Sequence, residues 1–199
     1  MSRSGFRLIH IQAPEIDLEG HTWLSAAVTP TCTHAGDAYR APVARLHMIC
    51  GLPGAGKTTL ARRLEAELDG VRLSPDEWLH RIAGEDSERA DRANREHRDA
   101  VEGIQFDLAL RLVPLGLNVI LENGFWTRDE REGLRSRASA AGVGSTLHYL
   151  DVTVDELWLR LERRNVSLPP GTFRITRAQL DEWSTIFEPP SPSELMERL

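Results

Sequence analysis

The stretch Gly51-Leu52-Pro53-Gly54-Ala55-Gly56-Lys57-Thr58-Thr59 constrains this chain more than any other. It fits the phosphate-loop pattern G-x-x-x-x-G-K-S/T, opened by Gly51 and closed by Gly56-Lys57-Thr58. Leu46–Cys50 before it is an apolar run of strand length. After it, Leu60, Leu64 and Leu68 recur every four residues with charge between them, as on an amphipathic helix. Strand, glycine loop and helix in that order give the motif its physics. The glycines let backbone N–H groups curl around phosphate oxygens, and the helix N-terminus adds partial positive charge. Lys57 is placed to reach the β- and γ-phosphates and the Thr58 hydroxyl to ligate Mg²⁺, so ATP and Mg²⁺ are the expected cofactors.

From Arg45 onward, strands alternate with helices. Strand one is followed by the loop and by a helix to about Asp69-Gly70, with Gly70 as its expected stop. Val71–Ser74 is a short second strand. Ser74, Pro75 and Glu77 then form a helix start of capping-box type. Ser87 to about Pro114 reads as one long helix. Its first half carries Arg89, Arg92, Arg95 and Arg98 among acids, either a solvated ion-paired face or, for one or two of them, a contact to an anionic substrate. Leu117–Glu122 is a buried strand, followed by a helix from Thr127 to about Ala141. Ser145–Leu150 is the fourth strand. Thr153 with Glu156, and Thr176 with Gln179, open two more helices as capping boxes, and Ser191–Leu199 reads as a last short helix. This alternation predicts an α/β fold, a mostly parallel sheet with helices on both faces. Residues 1–44 lack periodicity. They read as an N-terminal extension, either loosely ordered or an edge strand and cover built on Phe6–Ile11, ahead of a domain spanning 45–199.

Composition bounds the partners. A chain of 199 residues, 41% hydrophobic and 27% charged, suits one globular domain with an appendage. The net charge of −6 weighs against nucleic acid as a partner. No apolar run approaches the roughly 18 residues of a membrane span, and Met1–Gln12 lacks a signal-peptide core, so a cytoplasmic location is expected. Cys50 ends a buried strand, so no disulfide with Cys32 is expected. The seven histidines show no metal-ligand spacing, so no zinc site is expected either.

The residues able to carry chemistry fall at strand C-terminal ends, where open α/β sheets bind ligands. Asp76, after strand two, is placed to take the proton of an acceptor hydroxyl, or else merely favours the first turn of its helix. Glu122 closes a buried strand and suits Mg²⁺ or its water shell, or else simple exposure at the strand end. Arg160, Arg163 and Arg164 precede a Pro/Gly-containing loop. They can neutralise phosphoryl charge from a lid over about 160–176, or form a solvated face. Trp78, Phe125 and Trp126 lie beside the same strand ends, as acceptor-pocket wall or as core.

Gly51–Thr59 with Leu73-Ser74-Pro75-Asp76-Glu77-Trp78 resembles the small P-loop kinase-like proteins of the AAA-type ATP-binding group, whose relatives include polynucleotide 5′-hydroxyl kinases, chloramphenicol phosphotransferase, gluconate kinase and zeta toxins. Val119–Trp126 with Arg128–Arg131 looks like the group's third-strand block, and Leu150-Asp151-Val152 with Leu159-Arg160 and Arg163–Asn165 like its fourth strand and lid entry. The likeness spans about residues 45–190. It implies a three-layer P-loop NTPase fold, phosphate and Mg²⁺ contacts from Lys57 and Thr58, an acceptor-activating Asp76, and lid arginines at Arg160 and Arg164. The third-strand block of the group usually has Asp where Glu122 stands, no fifth strand is evident, and residues 1–44 match nothing in it. Together these features imply ATP-dependent phosphoryl transfer to a hydroxyl of a small-molecule acceptor. An ATP-binding regulatory module without an acceptor and a polynucleotide 5′-hydroxyl kinase are the alternatives.

Overall fold

Apolar runs separated by amphipathic stretches fold here into a wholly parallel sheet, seen in a computed structural model that describes residues 15–16, 22–23, 43–84, 87–169 and 172–196. The chain divides into two compact units, Met1–Ala41 and Pro42–Leu199. In the first, β1 (Glu15–Ile16) pairs antiparallel with β2 (Thr22–Trp23). The expected strand Phe6–Ile11, and the choice between loose extension and cover, lie outside the described residues.

In the second unit the strands are β3 (Leu46–Cys50), β4 (Val71–Leu73), β5 (Val119–Gly124) and β6 (Ser145–Tyr149), ordered β4-β5-β3-β6. Every pairing among them is parallel. The helices are α1 (Lys57–Leu68), α2 (Pro75–Ala83), α3 (Ser87–Leu112), α4 (Arg128–Ala140), α5 (Val154–Val166) and α6 (Arg177–Ile186). No helix among the described residues is long and apolar enough to cross a membrane.

Side chains of a strand alternate between faces, and β3 shows it. Leu46, Met48 and Cys50 pack with Phe106 and Ala109 of α3 and Ala138 of α4. Ile49, with Ile120, packs against Ala61 and Leu64 of α1. The sheet is therefore covered on both faces. Each fully buried Leu, Ile, Met or Phe among them contributes about 1.5–3 kcal/mol. A further cluster joins Leu52 and Ala55 of the glycine loop to Leu157 and Leu161 of α5 and Ile175 and Leu180 near and on α6, which fastens the loop to the segment beyond β6.

Helix ends differ from expectation in four places. The left-handed residue closing α1 is Asp69 (φ 47°), and Gly70 only donates its N–H to the Glu65 carbonyl. Ser74 and Thr153 cap α2 and α5 through their hydroxyls, but the boxes are not reciprocal. Glu77 bonds Arg72, and Glu156 bonds Arg160, because a guanidinium is a stronger partner for a carboxylate than a backbone N–H. Only Thr176 and Gln179 close both halves. The last helix expected at 191–199 is absent among the described residues. Segment 191–196 runs as turns, because Arg131 and Arg135 of α4 hold it down: Arg131 Nε donates to Glu194 Oε1 at 2.8 Å, and Arg135 donates to the carbonyls of Glu194 and Met196.

Candidate functional site

The glycine loop sits between the ends of β5 and β6. Gly51 donates to the Gly124 carbonyl at 3.0 Å, and Leu150 donates to the Cys50 carbonyl at 3.0 Å. Within it, Gly54 lies against α5: a Cβ there would stand 3.0 Å from Leu161 Cγ and 3.2 Å from the Leu157 carbonyl oxygen, so a side chain would force the helix away. Gly56 (φ 101°) turns the chain into α1 in a left-handed conformation that Gly adopts without strain.

The start of α1 fits an anion. No side chain caps it and no acid lies in its first turn, whereas α2, α4, α5 and α6 each have a hydroxyl cap. Its leading N–H groups thus remain for an outside acceptor. Thr58 and Thr59 are exposed at this end. Lys57 Nζ donates to the loop's own carbonyls, Gly51 at 3.0 Å and Leu52 at 3.2 Å. Burial pushes Lys57 down to about 8, although Asp76 and Glu122 pull the other way. Both carboxylates lie at the C-terminal ends of β4 and β5, which run parallel to β3 and so end at the loop's edge of the sheet.

Asp76 stands in the first turn of α2, positioned by the Ser74 cap and Pro75. Its partner is Arg98 of α3, which donates to Asp76 Oδ1 through Nη2 and to Glu102 Oε1 through Nη1 at 2.9 Å. Burial works against the Arg98 charge, but Asp76 and Glu102 outweigh it and raise its pKa. Of the arginine ladder, Arg98 therefore faces the site, while Arg89, Arg92 and Arg95 are exposed.

Glu122 is buried at the end of β5. Its Oε1 accepts from Arg72 Nη1 at 2.6 Å, and its buried Oε2 has no hydrogen-bond partner. Arg72 of β4 also donates to both oxygens of Glu77 at 2.8 Å and to Glu65 at 3.4 Å. One partly buried guanidinium thereby ties α1, α2, β4 and β5 together beneath the site.

Arg160 lies over the loop. Its Nη1 donates to the Ala55 carbonyl at 3.3 Å and the Gly54 carbonyl at 3.5 Å, and its Nη2 pairs with Glu156. Arg164 donates to the Phe173 carbonyl at 3.0 Å. Burial lowers its pKa, and Asp76 acts in the opposite direction. Asn165 holds the far side of this segment, exchanging hydrogen bonds with Ile175 at 2.6 and 3.3 Å. Arg163 is exposed.

The aromatics divide. Phe125 is buried with φ 47°, a conformation uncommon for a bulky residue, and lines a cleft beside β5. Trp126 packs on Trp183 at 5.5 Å, and Trp78 packs among the core residues. Cys50 Sγ donates to the Phe125 carbonyl at 3.3 Å, and burial pushes its thiol up to about 12.

Lys57, Asp76, Glu122 and Arg164, scattered in sequence, thus converge, and Arg160 meets the loop. Arg72, Arg98 and Glu102 complete the network. Arg72 could have been noticed as a charge between Val71 and Leu73 in a strand, whereas nothing local marks Glu102.

A family model described as an AAA domain matches residues 46–190. No curated protein matches the chain. Among solved structures, Chaetomium thermophilum Kti12 in complex with ADP-AlF3 aligns at 19% identity over 74% of this chain and 82% of that one, with a TM-score of 0.56. A candidate kinase from Chloroflexus aurantiacus J-10-fl aligns at 21% identity over 76% and 84%, with a TM-score of 0.58. A gluconokinase from Sinorhizobium meliloti 1021 aligns at 16% identity over 76% and 79%, with a TM-score of 0.52. These likenesses are to the parallel α/β fold.

Proposed function

The chain belongs to the AAA-domain family, as a P-loop kinase-like member, and on that premise we propose that it transfers the γ-phosphoryl group of ATP to a hydroxyl of a small molecule. The observation that carries this is Asp76, a carboxylate ion-paired with Arg98 in the first turn of α2, at the same edge of the parallel sheet as the loop lysine. A loop that only bound nucleotide would need no second carboxylate beside it.

Gly51–Thr59 would hold the phosphates, with Lys57 exchanging its loop carbonyls for phosphate oxygens. Thr58 and the unpartnered Oε2 of Glu122 would hold Mg²⁺ or its waters. Bound MgATP supplies the activated phosphoryl group. Phosphoryl transfer passes through a loose transition state, so the chain's task is placement and charge. Asp76, fixed by Arg98, orients the acceptor hydroxyl and accepts its proton as the new O–P bond forms and the γ-phosphorus–bridging-oxygen bond breaks, the electron pair leaving with ADP. Arg160 and Arg164 bring positive charge from α5 to the developing charge on the phosphoryl oxygens.

The test is mass spectrometry of products from ATP and a panel of hydroxylated compounds. A phosphate ester that Asp76→Asn fails to make supports the proposal. ATP hydrolysis without any ester identifies an ATP-binding switch instead, and transfer only to an oligonucleotide identifies a 5′-end kinase.

A further inference from the structure

A cleft of about 390 Å³ opens between α3 and α4 at the C-terminal end of β5. Phe106 and Phe125 give it an apolar floor, and Asp99 and Glu102 of α3 and Asp129 and Glu130 of α4 supply its charge. Among the described residues lining it, the one cation, Arg137, pairs with Asp107 at 3.0 Å and stacks 4.6 Å over the Phe106 ring within the cleft. Asn123 also lines the cleft, and its Oδ1 is shut off from solvent with no hydrogen-bond partner. An acceptor so placed lacks the N–H or O–H donor that a buried polar group ordinarily has.

The cleft is linked to Asp76 through Arg98. Glu102 is held by one arm of Arg98, and the other arm holds Asp76. A molecule seated against Glu102 and Phe125 therefore lies one guanidinium away from the carboxylate that would orient its hydroxyl.

We propose that this cleft is the acceptor pocket and that it selects a hydroxylated compound carrying two or more ammonium groups, of the amino-sugar or aminocyclitol class. The proposal rests on the phosphotransferase reading and names the substrate class for that same site. The chemistry is one of matching. Carboxylates lining a half-enclosed cleft repel an acceptor that already bears phosphate, and a neutral polyol leaves their mutual repulsion in place. An ammonium relieves that repulsion, while the sugar ring lies beside Phe125. The titration behaviour agrees. Burial raises Glu102 to about 7 despite Arg98, with Glu130 and Asp99 adding to the rise, and burial raises Glu130 as well.

Calorimetric titration of the nucleotide-free protein with neamine, and with neamine acetylated on all its amines, tests this. The two probes share their hydroxyls and differ in charge. At low ionic strength neamine should bind about tenfold or more tighter than its acetylated form. Asp99→Asn/Asp129→Asn, which alters two exposed carboxylates outside the catalytic set, should remove most of that preference while Tm stays close to wild type. Equal binding of the two probes, binding of neither, or an unchanged preference in the double variant overturns the proposal. Product analysis separates the two levels. Tight neamine binding with no phosphate ester upholds the cleft and contradicts the phosphotransferase reading, whereas phosphorylation of neutral polyols without neamine preference does the reverse.

Discussion

Arg98 and Asp76, 22 residues apart in sequence, form an ion pair that joins α3 to α2 at the edge of the phosphate loop. The second arm of Arg98 reaches Glu102 at 2.9 Å. Breaking the pair leaves Asp76 without the contact that fixes its direction, and a reacting group displaced by about 1 Å can cost on the order of a hundredfold in rate. Arg98→Leu should therefore lower the transfer rate by about that factor while changing ATP affinity less than about threefold. Steady-state kinetics with separate ATP titrations check this. An equal loss in ATP affinity would show that Arg98 serves the nucleotide instead.

On the proposed reading, Lys57 should set the pH range of nucleotide binding. Burial holds it at about 8 in the nucleotide-free protein. Phosphate oxygens favour the protonated ammonium. Below that pH the charge is already present, and above it binding must bring a proton. ATP affinity should thus be flat up to about pH 8 and then fall by as much as about tenfold per pH unit. Fluorescence titration with an ATP analogue across pH 6–10 reads it, and Lys57→Met should bind weakly with no such bend. A wild-type profile flat to pH 10 sinks this account of Lys57.

Arg72 and Glu122 carry side chains 11% and 3% exposed, and they lie 2.6 Å apart. Removing one partner of a buried pair costs about 3–5 kcal/mol, because the other charge is stranded. Arg72→Met should lose stability on that scale in urea unfolding, and adding Glu122→Leu should recover much of it. A single-variant loss below about 1 kcal/mol would mean that Glu65 and Glu77 leave Arg72 little energetic role.

The turns at 191–196 act as a strap. Arg131 holds Glu194 Oε1 at 2.8 Å and, through Nη1, the carbonyls of Phe125, Trp126 and Glu188 at 3.0, 3.2 and 2.9 Å. Burial alone would raise Glu194, but Arg131 and Ser191 outweigh it and lower it to about 2. A carboxylate lowered by folding stabilises above its unfolded pKa, and that stability is lost as pH falls from about 4.5 towards 2. Glu194→Gln should be less stable than wild type at pH 7, and the gap should close over that interval. A gap as large at pH 2.5 as at pH 7 would contradict the ionic origin.

Local patterns carried the loop, the capped helix with Asp76 and the alternation that builds the sheet, because each depends on residues within a turn or two of one another. The same local logic misjudged Glu77 and Glu156. Their spacing to Ser74 and Thr153 suits a box, but Arg72 and Arg160 compete for them, and Arg72 also reaches Glu122, 50 residues away. The C-terminal segment misled for a related reason. Ser191–Met196 has helical composition, yet Arg131 and Arg135, buried at 0% and 1% exposure, take its carbonyls and its acid. Glu102 and the cleft between α3 and α4 arise from packing two helices against β5, which no spacing within one segment encodes.

The most direct test of phosphoryl transfer pairs wild type with Asp76→Asn in a product assay by mass spectrometry, with MgATP and amine-bearing hydroxyl compounds. Wild type should yield ADP and a phosphate ester in equal amounts. The variant should bind ATP normally and form the ester about 10²–10⁴-fold more slowly. ADP and free phosphate with no ester from the wild type, or an undiminished ester yield from Asp76→Asn, would contradict the account.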